Sequence, residues 1–239
     1  MVSRINISYV VAAHNSALVI ESTVRKIHDE LSARDFSFEI LVVENASSDD
    51  TYAICKKLED HFPSLQTLQS EKGLGAAFRK GMLAANGELV IATADDLPFG
   101  FSDLDQYMSR SEKPAICIGS KGLPASEVSR SLLRSVASAF FLGARFLILG
   151  LKIRDTQGTY LVQRQVARDV AEILTESSYI YTTEFAYVGR KMGYEILELP
   201  VKAEPELRNT TVRVVRDGID MCKGLIRIRC NHRPIGKAN

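Results

Sequence analysis

Cysteine is scarce in this chain, and the four that occur are scattered. Cys55, Cys117, Cys222 and Cys230 form no C-x-x-C pair and have no histidine at ligand spacing beside them. A disulfide framework, a zinc site and a catalytic thiol are therefore poor fits, and free thiols in a reducing cytosol are expected. An excess of one charge is also missing. Thirty Lys and Arg face 29 Asp and Glu, so no polyanionic or membrane partner can be read from the total, and charge has to be read locally. No long apolar run is free of charge. The most hydrophobic stretch, Leu132 to Leu151, contains Arg134, Arg145 and Gly143, which argues against a spanning helix. His14, His28, His61 and His232 show no metal spacing. Repeats, low-complexity tracts and linkers are absent, so 239 residues read as one large domain.

The start of the chain imitates a signal peptide, with Arg4 before an apolar run. Asn6 interrupts that run, however, and His14-Asn15 follow it directly, so a first core strand over 5–13 is expected instead. The sequons at Asn6, Asn45 and Asn209 carry no meaning without secretion. After the strand, Leu18, Ile20, Val24, Ile27 and Leu31 recur at helical spacing. Phe38–Val43 reads as a second strand. Ser47 or Ser48 is expected to cap a helix with Asp49 and Asp50 in its first turn and Ile54, Leu58 and Phe62 on its inner face. A short strand over Leu65–Leu68, a helix from Gly75 to Ala85 and a buried strand over Leu89–Thr93 follow. Later, a helix begins at Thr182-Thr183-Glu184 and ends at Gly193, and Tyr194–Val201 is a strand. Alternation of this kind predicts an α/β fold: a mostly parallel central sheet with helices on both faces.

What is present is a series of polar segments at the ends of these strands. Ala12-Ala13-His14-Asn15 ends the first, and Glu44-Asn45-Ala46-Ser47-Ser48-Asp49-Asp50-Thr51 ends the second. Lys72-Gly73-Leu74-Gly75 opens a helix, and Ala94-Asp95-Asp96-Leu97 ends the Leu89–Thr93 strand. Carboxyl ends of strands and amino ends of helices line the ligand crevice of an α/β sheet. A carboxylate such as Glu44 there can accept hydrogen bonds from a base or ribose; the plain alternative is that Asn45-Ala46-Ser47 is a turn and cap. The glycines fail the dinucleotide fingerprint, because Phe78 takes its last position. Two acids at a strand end can bind a hard divalent cation, although neighbours in an extended segment point apart.

The order of these segments resembles the family-2 glycosyltransferases of the GT-A (Rossmann-like) fold, and among them the dolichol-phosphate and polyprenol-phosphate sugar (mannosyl) transferases. The resemblance runs from about residue 5 to about residue 230. It implies that Ala12, His14, Asn15, Glu44, Asn45, Ser47, Lys72, Gly73 and Asp95 bind the substrate, with His14 in place of the family's tyrosine. It implies a Mg²⁺ or Mn²⁺ ion on Asp96 and Asp95. Ala94 stands where the first acid of the family's triplet is usual, and Pro98 follows, which leaves metal dependence open. Arg154-Asp155-Thr156-Gln157-Gly158-Thr159-Tyr160 resembles a second family motif near the acceptor, with Asp155 as its acid and Thr159 where glycine is usual. Asp96 and Asp155 are then the catalytic candidates, and Arg130, Arg134 or Arg208 could hold an acceptor phosphate.

Two further segments bear on location. On the residues alone, 132–151 is an amphipathic helix lying either on the core or in a membrane interface; the resemblance favours the interface. The stretch Leu207 to Asn239 has eight Lys and Arg against Asp217 and Asp220, with Val215, Ile219, Cys222 and Ile226 as an apolar stripe. It reads either as a helix docking on anionic headgroups or as a solvated helix covering the sheet. Nucleic acid is not expected, since no aromatic residues are interleaved with the charges. The expected organisation is a catalytic domain over 1–206, including an interfacial helix over 127–151, and a basic amphipathic extension over 207–239. The expected activity is inverting transfer of mannose or glucose from a GDP- or UDP-sugar to a polyprenyl or dolichyl phosphate. The place expected is the cytoplasm, peripheral on the cytoplasmic membrane face. The alternatives are a saccharide or other acceptor, or a nucleotide-sugar-binding protein with impaired catalysis.

Overall fold

The structure is a computed structural model that describes residues 6–126, 132–202 and 214–233, the side chains of 132–138 and 214–219 aside. Its elements are β1 (Ile7–Ala13), α1 (Ile20–Ala33), β2 (Phe38–Asn45), α2 (Thr51–Glu59), β3 (Leu65–Ser70), α3 (Leu74–Ala84), β4 (Leu89–Ala94), α4 (Ser102–Met108), β5 (Ile116–Ser120), α5 (Leu132–Leu149), β6 (Tyr160–Gln163), α6 (Arg164–Ile173), α7 (Tyr181–Lys191), β7 (Ile196–Pro200) and α8 (Val214–Asn231). The strands form one sheet in the order β3-β2-β1-β4-β6-β5-β7. β1 pairs in parallel with β2 and β4, with Val10 opposite Leu41 on one side and Ala92 on the other. Only β6 runs against the rest, antiparallel to β4 and β5.

Successive residues of a strand face opposite sides of the sheet, and here both sides are covered. Val10, Ala12, Leu41, Val43, Val90 and Ala92 pack with Phe78, Met82, Val166, Val170 and Phe185 on one face. Tyr9, Val11, Ile40, Val42 and Ile91 pack with Val24, Ile27, Leu31, Leu58 and Leu104 on the other. A strand buried on both faces reads as an unbroken apolar run, which is why β1, β2 and β4 were visible in the sequence. The reversed strand β6 has a functional consequence. It brings the loop ahead of Tyr160 to the same edge as the carboxyl ends of β1, β2, β4 and β5.

Four expectations need correction. The first helix begins at Ile20, and Leu18 is 96% exposed; the loop before it is held by side chains, Ser16 N donating to Thr51 Oγ1 at 2.7 Å and Ala17 N to Asp49 Oδ2 at 3.1 Å. Neither Ser47 nor Ser48 caps α2. Thr51 N instead donates to Asp49 Oδ1 at 3.0 Å, and Ser47 Oγ accepts from Asn15 N. In the predicted apolar stripe of α8, Ile226 is misassigned. Leu225 and Ile228 are buried, Cys222 is half-buried and Ile226 is 56% exposed, while the side chains of Val215 and Ile219 lie outside the described residues. The amphipathic helix α6 has no counterpart among the predicted elements.

Candidate active site

The site is built from the loops that leave β1, β2 and β4. Asn15 and Ala46 sit at positive φ, 52° and 49°, and turn the first two loops sharply towards each other. His14 Nδ1 donates to Asn45 O at 2.6 Å, Asn15 N to Ser47 Oγ at 3.0 Å, and Ser48 N to Asn15 Oδ1 at 2.8 Å. Glu44 is buried. Its carboxylate accepts from Ser47 N at 2.5 Å and Gln69 Nε2 at 3.2 Å, which shapes the loop from within. Asn45 is buried too, and its Oδ1 accepts from Gly73 N at 2.7 Å. His14, Asn15, Glu44, Asn45, Ser47 and Gly73 are thus linked by hydrogen bonds, and Ala12 pairs with Val43 at the end of β1. Lys72 lies beside Gly73 on the turn into α3.

The glycine turn has a specific steric cause. Gly73 adopts φ +132°, and a Cβ on it would lie 2.4 Å from Ser177 O; on Gly75, a Cβ would lie 2.3 Å from Glu176 O. The backbone of 176–177 presses against the turn, and only residues without a side chain fit. Gly75 N donates to Ser177 O at 2.8 Å. Two N–H groups of this turn, those of Gly73 and Gly75, are therefore engaged within the protein, so the turn offers an anion fewer backbone donors than a bare helix start.

The two acids after β4 have different surroundings. Asp95 Oδ2 accepts a short hydrogen bond from Ser16 Oγ, and Asp95 O accepts from Thr23 Oγ1 at 2.5 Å. Asp95 therefore ties the β4 end to the start of α1. Asp96 Oδ1 is buried with no hydrogen-bond partner. Buried carboxylate oxygens are nearly always satisfied, so an orphaned one at a strand edge points to a ligand. A hard cation suits it chemically. Among the described residues, no three His, Cys, Asp or Glu converge, so an ion here would take oxygens from its substrate as well.

Across the edge, Asp155 precedes β6. Its Oδ2 accepts from Lys121 N at 3.1 Å and its Oδ1 from Gln157 N at 2.9 Å. Glu198, which the sequence did not single out, staples the same loop. It accepts from Ser120 Oγ at 2.6 Å, Asp155 N at 3.0 Å and Arg154 N at 2.8 Å. At Gly158 a Cβ would lie 1.6 Å from Gly119 O, so the loop packs directly on β5. Arg145, reaching in from α5, is buried as well. It donates to Thr156 Oγ1 at 3.0 Å and to Ile153 O, and its Nε has no partner. Burial lowers its pKa, against the pull of Tyr160, Asp155 and Glu198. Arg130 and Arg208 lie outside the described residues, as does the side chain of Arg134, whose backbone belongs to α5.

Two buried acids flank the site. Asp103 in α4 accepts from Leu104 N at 2.7 Å and from the Thr159 hydroxyl, yet burial still pushes its pKa up to about 6. Glu184 in α7 is fully buried. It accepts from Thr175 N, Thr175 Oγ1 and Glu176 N, and from His232 Nε2 at 2.6 Å. Burial raises its pKa, but these bonds, led by that of His232, outweigh it and hold the carboxyl below its usual range. Their separation of 48 residues hides this pair from any local pattern in the sequence.

Comparison with known proteins identifies the family and the fold. The family model "Glycosyl transferase family 2" matches residues 8–166. The chain is 26% identical over 230 residues to Glycosyltransferase AglD of Haloferax volcanii, covering 93% of this chain and 37% of that protein. It is 26% identical over 247 residues to Dolichyl-phosphate beta-glucosyltransferase of Dictyostelium discoideum, covering 95% of this chain and 75% of that protein. The chain thus spans little more than a third of the first relative and three quarters of the second. Among solved structures, glucosyl-3-phosphoglycerate synthase of Mycobacterium tuberculosis with UDP superposes with a TM-score of 0.63 at 17% identity, over 98% of this chain and 81% of that one. The same enzyme has been crystallised with Mn²⁺, UDP and phosphoglyceric acid. At such identity the likeness shows the fold.

Proposed function

The chain belongs to glycosyl transferase family 2 and has the GT-A fold, and on that premise we propose that it transfers glucose from UDP-glucose to the phosphate of a polyprenol of the dolichyl type. The observation that carries the reading is the orphaned, buried Oδ1 of Asp96, just past the end of β4, whose last residues pair with the end of β1 next to β2. The names of the relatives favour glucose and dolichyl phosphate, and the bound UDP of the structural neighbour favours a uridine donor.

In this reading the loops of His14–Ser47 and the Lys72-Gly73 turn hold the nucleotide. Asp96, with Asp95 beside it, would hold a Mg²⁺ or Mn²⁺ ion. When bound, that ion neutralises the diphosphate leaving group. A phosphate oxygen of the acceptor attacks the anomeric carbon from the face opposite the diphosphate. The new carbon–oxygen bond forms as the old one breaks, and its electron pair leaves on UDP, so the anomeric centre inverts. A lipid monophosphate has its second pKa near 6, by analogy with phosphoserine, and attacks without a strong base. Asp155, both oxygens already accepting backbone N–H groups, sets the shape of the acceptor loop and takes no proton. Arg130, Arg134 and Arg208 supply cationic charge for the acceptor phosphate. Positioning and charge stabilisation then do most of the catalysis.

Residues 1–206 form the catalytic unit in this reading, and 207–239 a basic extension, of which α8 packs against the core through Leu225 and Ile228. The membrane-facing surface is the outer side of α5 and α8. Phe140 is 68% exposed, Leu147 79% and Ile226 56%, with Phe146 beside them and Lys223, Arg229 and Arg233 exposed nearby. No helix among the described residues is long and apolar enough to cross a membrane. This surface would instead rest on a bilayer at headgroup level, where the acceptor phosphate lies.

Incubating the protein with radiolabelled UDP-glucose, dolichyl phosphate and Mn²⁺, with GDP-mannose and a soluble saccharide as alternatives, tests this. Labelled glycolipid from UDP-glucose alone is expected. Glycolipid from GDP-mannose would replace the sugar, transfer to the saccharide would replace the acceptor, and UDP binding without any transfer would mark an impaired, binding-only protein.

A further inference from the structure

The segment 175–177 lies between the glycine turn and the C-terminal helix. On one side, its Ser177 carbonyl accepts from Gly75 N at 2.8 Å, and its backbone fills the space a side chain at residue 73 or 75 would need. On the other side, α8 and the residue just beyond it grip the segment with three side chains. Arg227 makes a two-pronged pair with Glu176, Nε to Oε1 and Nη2 to Oε2, both at 2.8 Å. Asn231 Nδ2 donates to Thr175 Oγ1 at 3.1 Å. His232 Nε2 donates to Glu184 Oε1, and the same carboxylate holds Thr175 N and Glu176 N. Positions 227 and 231 share one helix face, and His232 lies one residue past the helix end. Lys191 Nζ closes the far end by donating to His232 O at 2.8 Å. Gly224 lets the helix approach Ile180, whose Cδ1 lies 2.7 Å from where its Cβ would be.

From this arrangement we infer that Arg227, Asn231, His232 and Glu184 are positioning residues for the nucleotide donor, holding the glycine turn in its binding geometry through the segment Thr175–Ser177. None of the four touches the edge formed by Glu44, Asn45 and Gly73; they act through the backbone that touches it. The turn is joined to the strand edge by the Gly73 N–Asn45 Oδ1 bond, so a displaced 175–177 segment moves a group on the nucleotide side. A helix that carries the membrane-facing side chain Ile226 on its outer side thereby braces the donor side from behind. The inference rests on the donor reading given above.

The test uses the full chain with Arg227→Ala, Arg227→Lys and Asn231→Ala, and with Glu184→Gln as the harsher change. Backbone hydrogen exchange of residues 73–77 reads the brace without any ligand. Faster exchange there in Arg227→Ala, with the β1 and β2 amides unchanged, is expected, and Arg227→Lys should restore part of the protection. Titration with UDP, and KM for UDP-glucose against kcat, read positioning. A KM and a UDP Kd raised about 3- to 30-fold, with kcat at saturating donor little changed, are expected, the range of coupling energies along packed networks. Unchanged exchange at 73–77 in Arg227→Ala overturns the brace, and unchanged UDP affinity in a variant with faster exchange overturns the positioning role. If Glu184→Gln fails to fold, Asn231→Ala gives the same readings. Failure of the unaltered protein to bind UDP would overturn the donor reading instead, and the exchange result would still decide the brace.

Discussion

Around β1, β2 and β4 nearly every polar side chain of the edge is engaged by another part of the chain, whereas on the outer side of α5 and α8 large apolar side chains stand in the open. On the first surface Glu44, Asn45, His14, Asn15 and Asp95 each have a side chain within hydrogen-bond distance of another loop or helix start, while Asp96 Oδ1 is buried without a partner among the described residues. On the second, Phe140, Leu147 and Ile226 are more than half exposed, while Arg145 on the inner side of α5 and Leu225 and Ile228 on that of α8 are buried. The first surface is preorganised, so a ligand there meets dipoles already in place and little has to reorder. The second is apolar with basic residues beside it, the composition of a surface that something else covers. In the proposed function the first surface takes the donor and the second rests on a bilayer.

The sharpest contrast within the donor surface is between Asp95 and Asp96. Asp96→Asn should lower turnover about 10²- to 10³-fold, the scale for losing one preorganised group at a developing charge. Asp95→Asn should lower it less and should destabilise the fold, because Ser16 Oγ donates to the Asp95 carboxylate. Steady-state kinetics alongside thermal melts of both variants separate the two, and equal activity losses would erase the distinction. On the other surface, Leu147→Ser should weaken cosedimentation with anionic vesicles about tenfold, since burying a leucine contributes about 1.5–3 kcal/mol. Raising the salt from 0.1 M to 1 M shortens the Debye length from about 10 Å to about 3 Å and should remove only the part due to Lys223, Arg229 and Arg233. No vesicle binding by the unaltered chain at low salt would break the comparison.

A third expectation concerns pH. Asp103 has a folded pKa raised from 3.8 to about 6 by burial. Between those values the folded state binds the proton more tightly than the unfolded one, so stability falls as pH rises through that window, by up to about 3 kcal/mol for two units. Asp103→Asn cannot ionise, and its denaturation midpoint should change less between pH 4 and pH 6 than that of the unaltered protein. An identical profile would show that Asp103 is not the group responsible. A further expectation concerns Glu44. Glu44→Ala removes a carboxylate that shapes the Ser47 loop and should weaken UDP binding by about 1–3 kcal/mol, the scale of a lost charged hydrogen bond. Calorimetry on the folded variant checks it.

Much of the fold was legible because strands buried on both sides are written as apolar runs, and because the turns after them carry residues that tolerate positive φ or hold the backbone. Asp95 and Asp96 lie in the turn just after β4, so the two-residue period of extended chain does not reach them, and their different partners could not be read from it. What could not be read is what lies far apart in sequence. Glu184 looks like an ordinary acid near the start of a helix until His232 packs on it, and Glu198 looks like one acid on a strand until the 154–155 backbone folds over it. Arg145 argued against a membrane span but gave no sign that it would be buried under α5. Of the described side chains of α5, Phe141, Ala144, Ile148 and Leu149 pack on the core, one of the two alternatives weighed for residues 132–151, while Phe140 and Leu147 stand exposed. The inner stripe of α8 was missed because the helix carries two apolar stripes, and only packing against α5 and Ile180 selects Leu225 and Ile228 over Ile226.

Isothermal titration of UDP into the unaltered protein and into Asp96→Asn, each with and without Mn²⁺, reaches the centre of this account. The account predicts that UDP binds the unaltered protein, that Mn²⁺ tightens the binding, and that Asp96→Asn retains UDP affinity while losing the metal's contribution. Equal UDP affinity with and without Mn²⁺ in both proteins, or no UDP binding at all, would contradict it.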